Sequence, residues 1–216
     1  MQLPQALIHA LSSIEAFDAE AFVAAHKSQE PRVSIRLNPQ KPATLDPLVP
    51  VGKVPWAKQG RYFDQRPQFT LHPLWHAGAY YVQEPSSMFL EQVLRQHLPL
   101  QSPLTVLDLC AAPGGKSTHI QSLLSEDSVL VSNEVIKTRV PVLMENLTKW
   151  GARNVLVTNN DAADFGKLPQ LFDAVVVDAP CSGSGLFRKD ANAINEWSEA
   201  AVEMCSQRQQ RILADV

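Results

Sequence analysis

Two short stretches of this sequence hold residues that could do chemistry. The first is Asp178-Ala-Pro-Cys-Ser-Gly-Ser-Gly185, which follows the apolar run Phe172 to Val177. A thiol beside a carboxylate, at the end of a strand and next to a glycine-rich turn, suits covalent or proton-transfer chemistry on a bound ligand. The proline stiffens the approach, and the glycines let a ligand come close. The alternative is a small cysteine packed in a core. The second stretch is Cys110-Ala-Ala-Pro-Gly-Gly-Lys116, set between the apolar run Leu104 to Leu109 and the helical spacing of Ile120, Leu123 and Leu124. It contains neither Gly-x-Gly-x-x-Gly nor the spacing of a phosphate-binding loop, which disfavours phosphate cradling. A Gly-Gly turn can also join a strand to a helix without binding anything. Cys110, in that turn, and Cys205, in a helix, read as structural.

Such residues need a scaffold, and the sequence implies one. Leu104–Leu109, Ser128–Ser132, Asn154–Thr158 and Phe172–Val177 read as buried strands, with helices starting near Gly115 or Lys116 and near Lys137. Alternating strands and helices predict a parallel sheet, at one edge of which Gly114, Glu134, Asp161 and Asp178 gather. An acidic residue after the second strand can accept hydrogen bonds from ribose hydroxyls. Pro141 should fall in the first turn of its helix or kink it. Upstream, residues 3–28 read as one or two helices stopped by Pro31. Arg32–Leu37 reads as a short strand with Val33, Ile35 and Leu37 on one face and Arg32, Ser34 and Arg36 on the other. Asn38–Pro55, with five prolines, reads as an irregular connection. Further short strands are expected at Tyr62-Phe63 and Ala79–Gln83. Ser86 or Ser87 should cap a helix to about His97 that turns Phe89, Val93 and Leu94 inward. His72 and His76 stand four apart, but Pro73 lies between them and no further ligand completes a metal set.

Composition narrows the class. With 216 residues, 45% hydrophobic and 19% charged, the chain has the make-up of a globular protein able to bury a core. It contains no apolar run of membrane-spanning length and no signal-like start, so cytoplasmic is the expected location. Its three cysteines show no paired spacing, which favours neither a disulfide framework nor zinc. The net charge of −3 is unevenly spread. Lys27 to Arg66 carries eight basic residues against three acidic, and Leu104 to Val216 carries ten against fourteen. A basic segment beside an acidic ligand-binding domain suits a polyanionic substrate, although scattered solvated lysines give the same count.

Taken together, Leu107–Ser117 and Asp178–Gly185 resemble the Sun/nucleolar-protein family of RNA 5-methylcytosine methyltransferases, which use S-adenosylmethionine. Tyr81-Val-Gln-Glu-Pro-Ser-Ser-Met88 is similar to that family's lead-in to its catalytic domain. Arg36-Leu-Asn38 resembles the Arg-x-Asn of its small RNA-facing subdomain. The resemblance implies a Rossmann-like class I methyltransferase α/β sheet at residues 85–216, preceded by a small α+β RNA-facing subdomain at residues 1–84. It also implies that Cys110, Ala111, Ala112, Pro113, Gly114, Gly115 and Lys116 wrap the methionine end of the cofactor. Glu134 would hold the ribose, Arg139 would line the pocket and Asp161 would meet the adenine amino group. Asp178 would lie between the cofactor and the cytosine ring, and Cys181 would help release product. Arg36, Arg188 and Lys189 are the expected RNA contacts. Ribosomal RNA is the expected substrate, with transfer RNA as the alternative, and neither metal nor membrane is called for.

The family's attacking cysteine lies in a Thr-Cys motif after the next strand, and no Thr-Cys occurs in these 216 residues. The chain therefore reads as a truncated form whose last helix spans about Glu199 to Leu213. That form is expected to be silent as an enzyme and poorly stable. The competing readings are a module that only binds cofactor and RNA, and a nicotinamide-dependent dehydrogenase. The second shares the ribose carboxylate but lacks both the glycine pattern and the Pro-Cys element.

Overall fold

Two four-stranded sheets carry the fold in the computed structural model, which describes residues 3–28, 33–190 and 192–216. The chain opens with helices α1 (Gln5–Leu11) and α2 (Ala19–Ser28). The first sheet follows and is antiparallel, in the order β2–β3–β1–β4, from β1 (Val33–Leu37), β2 (Gly52–Lys53), β3 (Gly60–Phe63) and β4 (Tyr80–Val82). Ile35 pairs with Arg61 on one side and Val82 on the other. It packs in a cluster with Phe63, Phe69, Ala79 and Tyr80. The short helix α3 (Pro73–His76) comes between β3 and β4. His72, just before it, turns its ring to the Tyr80 hydroxyl and the Asp46 carbonyl. Pro31 and Arg32 lie outside the described residues.

Both faces of strand β1 are covered: Ser34 and Arg36 are buried along with Ile35, because the face carrying Arg36 packs against the second sheet's first helix. The expectation for the segment after β4 is corrected. The segment after Glu84 forms a 3-10 turn, Ser86–Phe89, before helix α4 (Leu90–His97), and neither serine caps it through its side chain. Its inward residues are Met88, Glu91 and Leu94, while Phe89 and Val93 are 54% and 45% exposed. The turn changes the helical phase that an unbroken helix from Ser86 would have had.

The second sheet is parallel, in the order β7–β6–β5–β8, from β5 (Thr105–Asp108), β6 (Val129–Asn133), β7 (Val155–Thr158) and β8 (Ala174–Val176). Its register sets Asp108 beside Ser132 and Val176, and Asn133 beside Thr158, so the carboxyl ends of the strands lie together. Val106, Ile120 and Leu130 form its core with Leu94, Leu100 and Leu104. Helix α5 (Gly115–Gln121) follows β5, and α6 (Val140–Trp150) follows β6 with Pro141 in its first turn. Helix α6 ends on Gly151 in the left-handed region, whose amide donates to the Leu147 carbonyl. Helix α7 (Ala162–Phe165) separates β7 from β8, and α8 (Asn192–Glu196) and α9 (Glu199–Ala214) complete the chain.

Chain contacts divide the molecule into two compact units. Both sheets belong to one compact unit, Arg32–Asp178 with Asp215–Val216, and a second unit joins Met1–Pro31 to Ala179–Ala214. Within the described residues of the second unit, Leu3, Leu7 and Phe187 form the buried centre, packed by Phe22, Val23, Ile194 and Trp197.

Candidate cofactor site at the strand ends

Strand order doubles back at β5. The chain leaves β5 for β6 on one side and later returns to β8 on the other, and this is where α/β sheets bind ligands. The Cys110–Lys116 turn closes that point. Its path is fixed by backbone bonds from the Leu109 amide to the Val176 carbonyl (2.9 Å), the Ala111 amide to the Asn133 carbonyl (2.8 Å) and the Gly114 amide to the Ala111 carbonyl (2.8 Å). Side chains hold it from outside. Arg139 Nη2 donates to the Ala112 carbonyl at 2.6 Å, and Asn146 Nδ2 to the Pro113 carbonyl at 2.8 Å. Gly114 adopts φ +108°, a conformation that disfavours any other residue.

Acidic groups ring this turn. Glu134, buried past the end of β6, accepts from the Ile136 amide through Oε1 (2.8 Å) and pairs with Arg139 Nη1 through Oε2 (3.2 Å). Each carboxylate oxygen keeps a lone pair for a further donor. Asp161 caps α7 by accepting from the Ala163 amide. Asp178, after β8, pairs with Lys116 Nζ, and its side chain is 55% exposed. Cys110 is half-buried in the turn. Burial, helped by the charges of Asp108, Glu134 and Asp178, pushes its thiol up to about 11. Its thiolate is therefore disfavoured near neutrality.

Sequence reasoning missed two scaffolding groups. Asp108 is wholly buried at the end of β5. Its Oδ2 accepts from Ser117 Oγ at 2.6 Å, and its Oδ1 has no partner among the described residues. Burial pushes its carboxyl up to about 6. Asp178 and Glu134 add to the rise, and the Ser117 hydrogen bond and Lys116 oppose it. The signal was available, since an aspartate inside an apolar strand run needs a reason. Asn133 is the second. Its Nδ2 donates to the Leu109 and Asn160 carbonyls (3.1 and 3.0 Å), and its Oδ1 accepts from Thr158 Oγ1 and the Asn160 amide, both at 2.9 Å. One buried amide thus ties three strand ends together, and a lone asparagine in sequence gives no hint of it.

This donor set fits S-adenosylmethionine. Three carboxylates with one lysine and one arginine favour a cationic ligand carrying hydroxyl and amino donors, and they disfavour the pyrophosphate of a dinucleotide.

Arg36 is corrected: it is 1% exposed, its guanidinium is spent on Gln83, Gly115 and Thr118, and no RNA can reach it. Cys181, Arg188 and Lys189 are exposed members of the second unit. Cys205 is buried in α9. Among the described residues no helix is long and apolar enough to cross a membrane.

Comparison with known proteins gives a consistent picture. The family model for 16S rRNA methyltransferase RsmB/F matches residues 95–216, and that for the N-terminal domain of 16S rRNA methyltransferase RsmF matches residues 3–85. The chain is 38% identical over 198 residues to ribosomal RNA small subunit methyltransferase F of Pectobacterium atrosepticum, covering 85% of this chain and 40% of that protein. It is 35% identical over 225 residues to the protein of the same name from Serratia proteamaculans, covering 98% of this chain and 46% of that protein. The chain thus spans less than half the length of these relatives. A methyltransferase homolog protein from Pyrococcus horikoshii superposes with a TM-score of 0.71 at 25% identity, over 99% of this chain and 72% of that one.

Proposed function

The chain belongs to the 16S rRNA methyltransferase RsmB/F family, and from that premise we propose that it carries the cofactor-binding part of an enzyme that methylates carbon 5 of cytosine in ribosomal RNA. The observation that carries this reading is the gathering of the Cys110–Lys116 turn, Glu134 and Asp178 around the doubling-back point of the parallel sheet. S-Adenosylmethionine supplies an electrophilic methyl group on a cationic sulfonium. The turn wraps its methionine end. Glu134, held by Arg139, accepts from the ribose hydroxyls, and Asp161 receives the adenine amino group.

The target base dictates what the other residues do. Carbon 5 of cytosine is a poor nucleophile until a thiolate has added to carbon 6, which makes the ring enamine-like. Cys110 is poorly suited to this, because burial and the neighbouring carboxylates disfavour its thiolate. The family resemblance assigns the attack to a Thr-Cys motif not found in these 216 residues, and assigns Cys181 to product release. Ring nitrogen 3 needs a proton donor as charge develops there; Asp178, carrying a proton and released from its pair with Lys116, would donate to it and stabilise that charge. The base must be unstacked to enter, which suits a single-stranded or loop segment of RNA. Arg188 and Lys189 are proposed as backbone contacts.

The test uses the full-length protein, 16S ribosomal RNA and cofactor labelled in its methyl group. Digestion should recover the label in 5-methylcytosine. Label on another base, or on another atom of cytosine, overturns the proposal.

A further inference from the structure

Arg36 is among the most completely buried large side chains of the described chain, and three of its hydrogen bonds go to the first turn of α5, just after the cofactor turn. Its Nη2 donates to Thr118 Oγ1 at 2.6 Å and to the Gly115 carbonyl at 3.3 Å, and its Nη1 donates to the Thr118 carbonyl at 3.3 Å. Thr118 Oγ1 in turn donates to the Gly114 carbonyl at 2.8 Å. The guanidinium plane lies over the Trp150 ring, 4.5 Å from its centroid. Tyr81 of β4 and Gln83, just past its end, join in. Gln83 accepts from Arg36 Nε at 2.9 Å and donates to the Gly115 carbonyl at 3.3 Å. The Tyr81 ring lies so close that a Cβ on Gly115 would meet it at 3.2 Å.

A buried cation is costly unless its donors are all engaged, and this one is placed where its donors reach backbone carbonyls of a single helical turn. Burial lowers its pKa to about 9, so it remains charged at neutral pH. A strand needed only to close a small sheet could carry an apolar residue at this position. Two lines of observation therefore converge: the hydrogen bonds of Arg36 and Gln83 to α5, and the packing of Tyr81 on Gly115.

We propose that Arg36 is a positioning residue for the cofactor. From the N-terminal sheet it fixes the first turn of α5, and with it the Pro113–Lys116 side of the site. The small sheet is then part of the cofactor site, whatever it does towards RNA. The inference rests on the S-adenosylmethionine reading above and deepens it.

The test titrates S-adenosylmethionine calorimetrically into the full chain as wild type, Arg36→Lys and Asn38→Ala. Asn38 is the control because it anchors the same sheet at the far end of α6, through the Gly78 and Trp150 carbonyls at 2.9 Å each. Arg36→Lys keeps the charge but loses the forked geometry. Its affinity should fall on the order of tenfold, while that of Asn38→Ala stays within about twofold at a comparable loss of thermal stability. Without cofactor, amide exchange over residues 114–118 should quicken in Arg36→Lys and not in Asn38→Ala. If Arg36→Lys fails to fold, Gln83→Met carries the same expectations, since it strips both bonds of Gln83 and leaves the cation. Wild-type affinity and wild-type exchange in a folded Arg36→Lys or Gln83→Met overturn the proposal. Absence of binding by the wild type sinks the methyltransferase reading instead, and the exchange data then decide the positioning role alone.

Discussion

Asp108 is the group in the site whose ionisation costs the fold most. Raising its carboxyl from 3.8 to about 6 corresponds to roughly 3 kcal/mol of disfavour for the charged form. The folded protein then holds a proton between pH 4 and 6 that the unfolded chain has released, so this group makes stability fall as pH rises through that window. His119 does the opposite. Burial lowers its pKa from 6.5 to about 4, with the charges of Arg36 and Arg95 assisting and Glu91 opposing, so the unfolded chain takes up a proton that the fold refuses. Stability from His119 therefore rises over nearly the same window. The two effects are similar in size and offset each other between pH 4 and 6. Asp108→Asn keeps an acceptor for Ser117 and removes one slope. Denaturant midpoints of this variant should climb with pH across the window, and a flat profile would count against the assignment. Ionised Asp108 also favours a cationic ligand, so wild-type affinity for S-adenosylmethionine should increase as pH rises through 6.

Cys181 invites a second residue-scale prediction. As the release-assisting thiol, its change to alanine in the full-length enzyme should trap an RNA–protein adduct that survives denaturing gels. Loss of the adduct would make Cys181 the attacking thiolate. The bare sequence left both roles open, and only the family resemblance separates them.

Among the elements, α4 and α5 are joined by a buried ionic cluster. Burial opposes ionisation of Glu91, but hydrogen bonds from His119 (3.1 Å) and Arg95 (2.9 Å) prevail and hold its pKa at about 2. That stability is present above pH 4.5 and is lost as pH falls towards 2. Glu91→Ala would leave the neutral His119 ring buried without its hydrogen-bond partner and should cost about 1–3 kcal/mol in chemical denaturation. A cost below about 1 kcal/mol would mean that the cluster is solvated. The sequence revealed the strands of the parallel sheet to within a residue or two, because buried parallel strands are nearly unbroken apolar runs. It placed Leu94 inward correctly but mistook the rest of the segment after Glu84, where Met88 and Glu91 are buried in place of Phe89 and Val93. It did not reveal that both faces of β1 are covered. A strand of alternating polar and apolar residues looks half exposed unless a guanidinium finds a helix to bond, and that partner lies 82 residues away.

Across the whole molecule, the strand-end acids and the cofactor turn were legible because each follows its own apolar run. The bonds that hold them in place, from Asn133, Asp108 and Arg36, are long-range and were not. The sheet ends on β8 at one edge and β7 at the other, with Val175 39% exposed on the first and Leu156 59% exposed on the second. Exposed apolar edge strands pair with other chains. Val175→Lys should therefore reduce self-association of the 216-residue chain in light scattering, and unchanged association would assign it to another surface. The central claim is that the acidic strand ends form a site for a cationic nucleoside. Parallel calorimetric titrations of S-adenosylmethionine and NAD into the wild type and Glu134→Ala test it most directly. The account predicts binding of S-adenosylmethionine by the wild type, loss of at least about tenfold in affinity on removing the ribose carboxylate, and no measurable heat from NAD. Equal affinity of the two proteins for S-adenosylmethionine, or tighter binding of NAD, would contradict it.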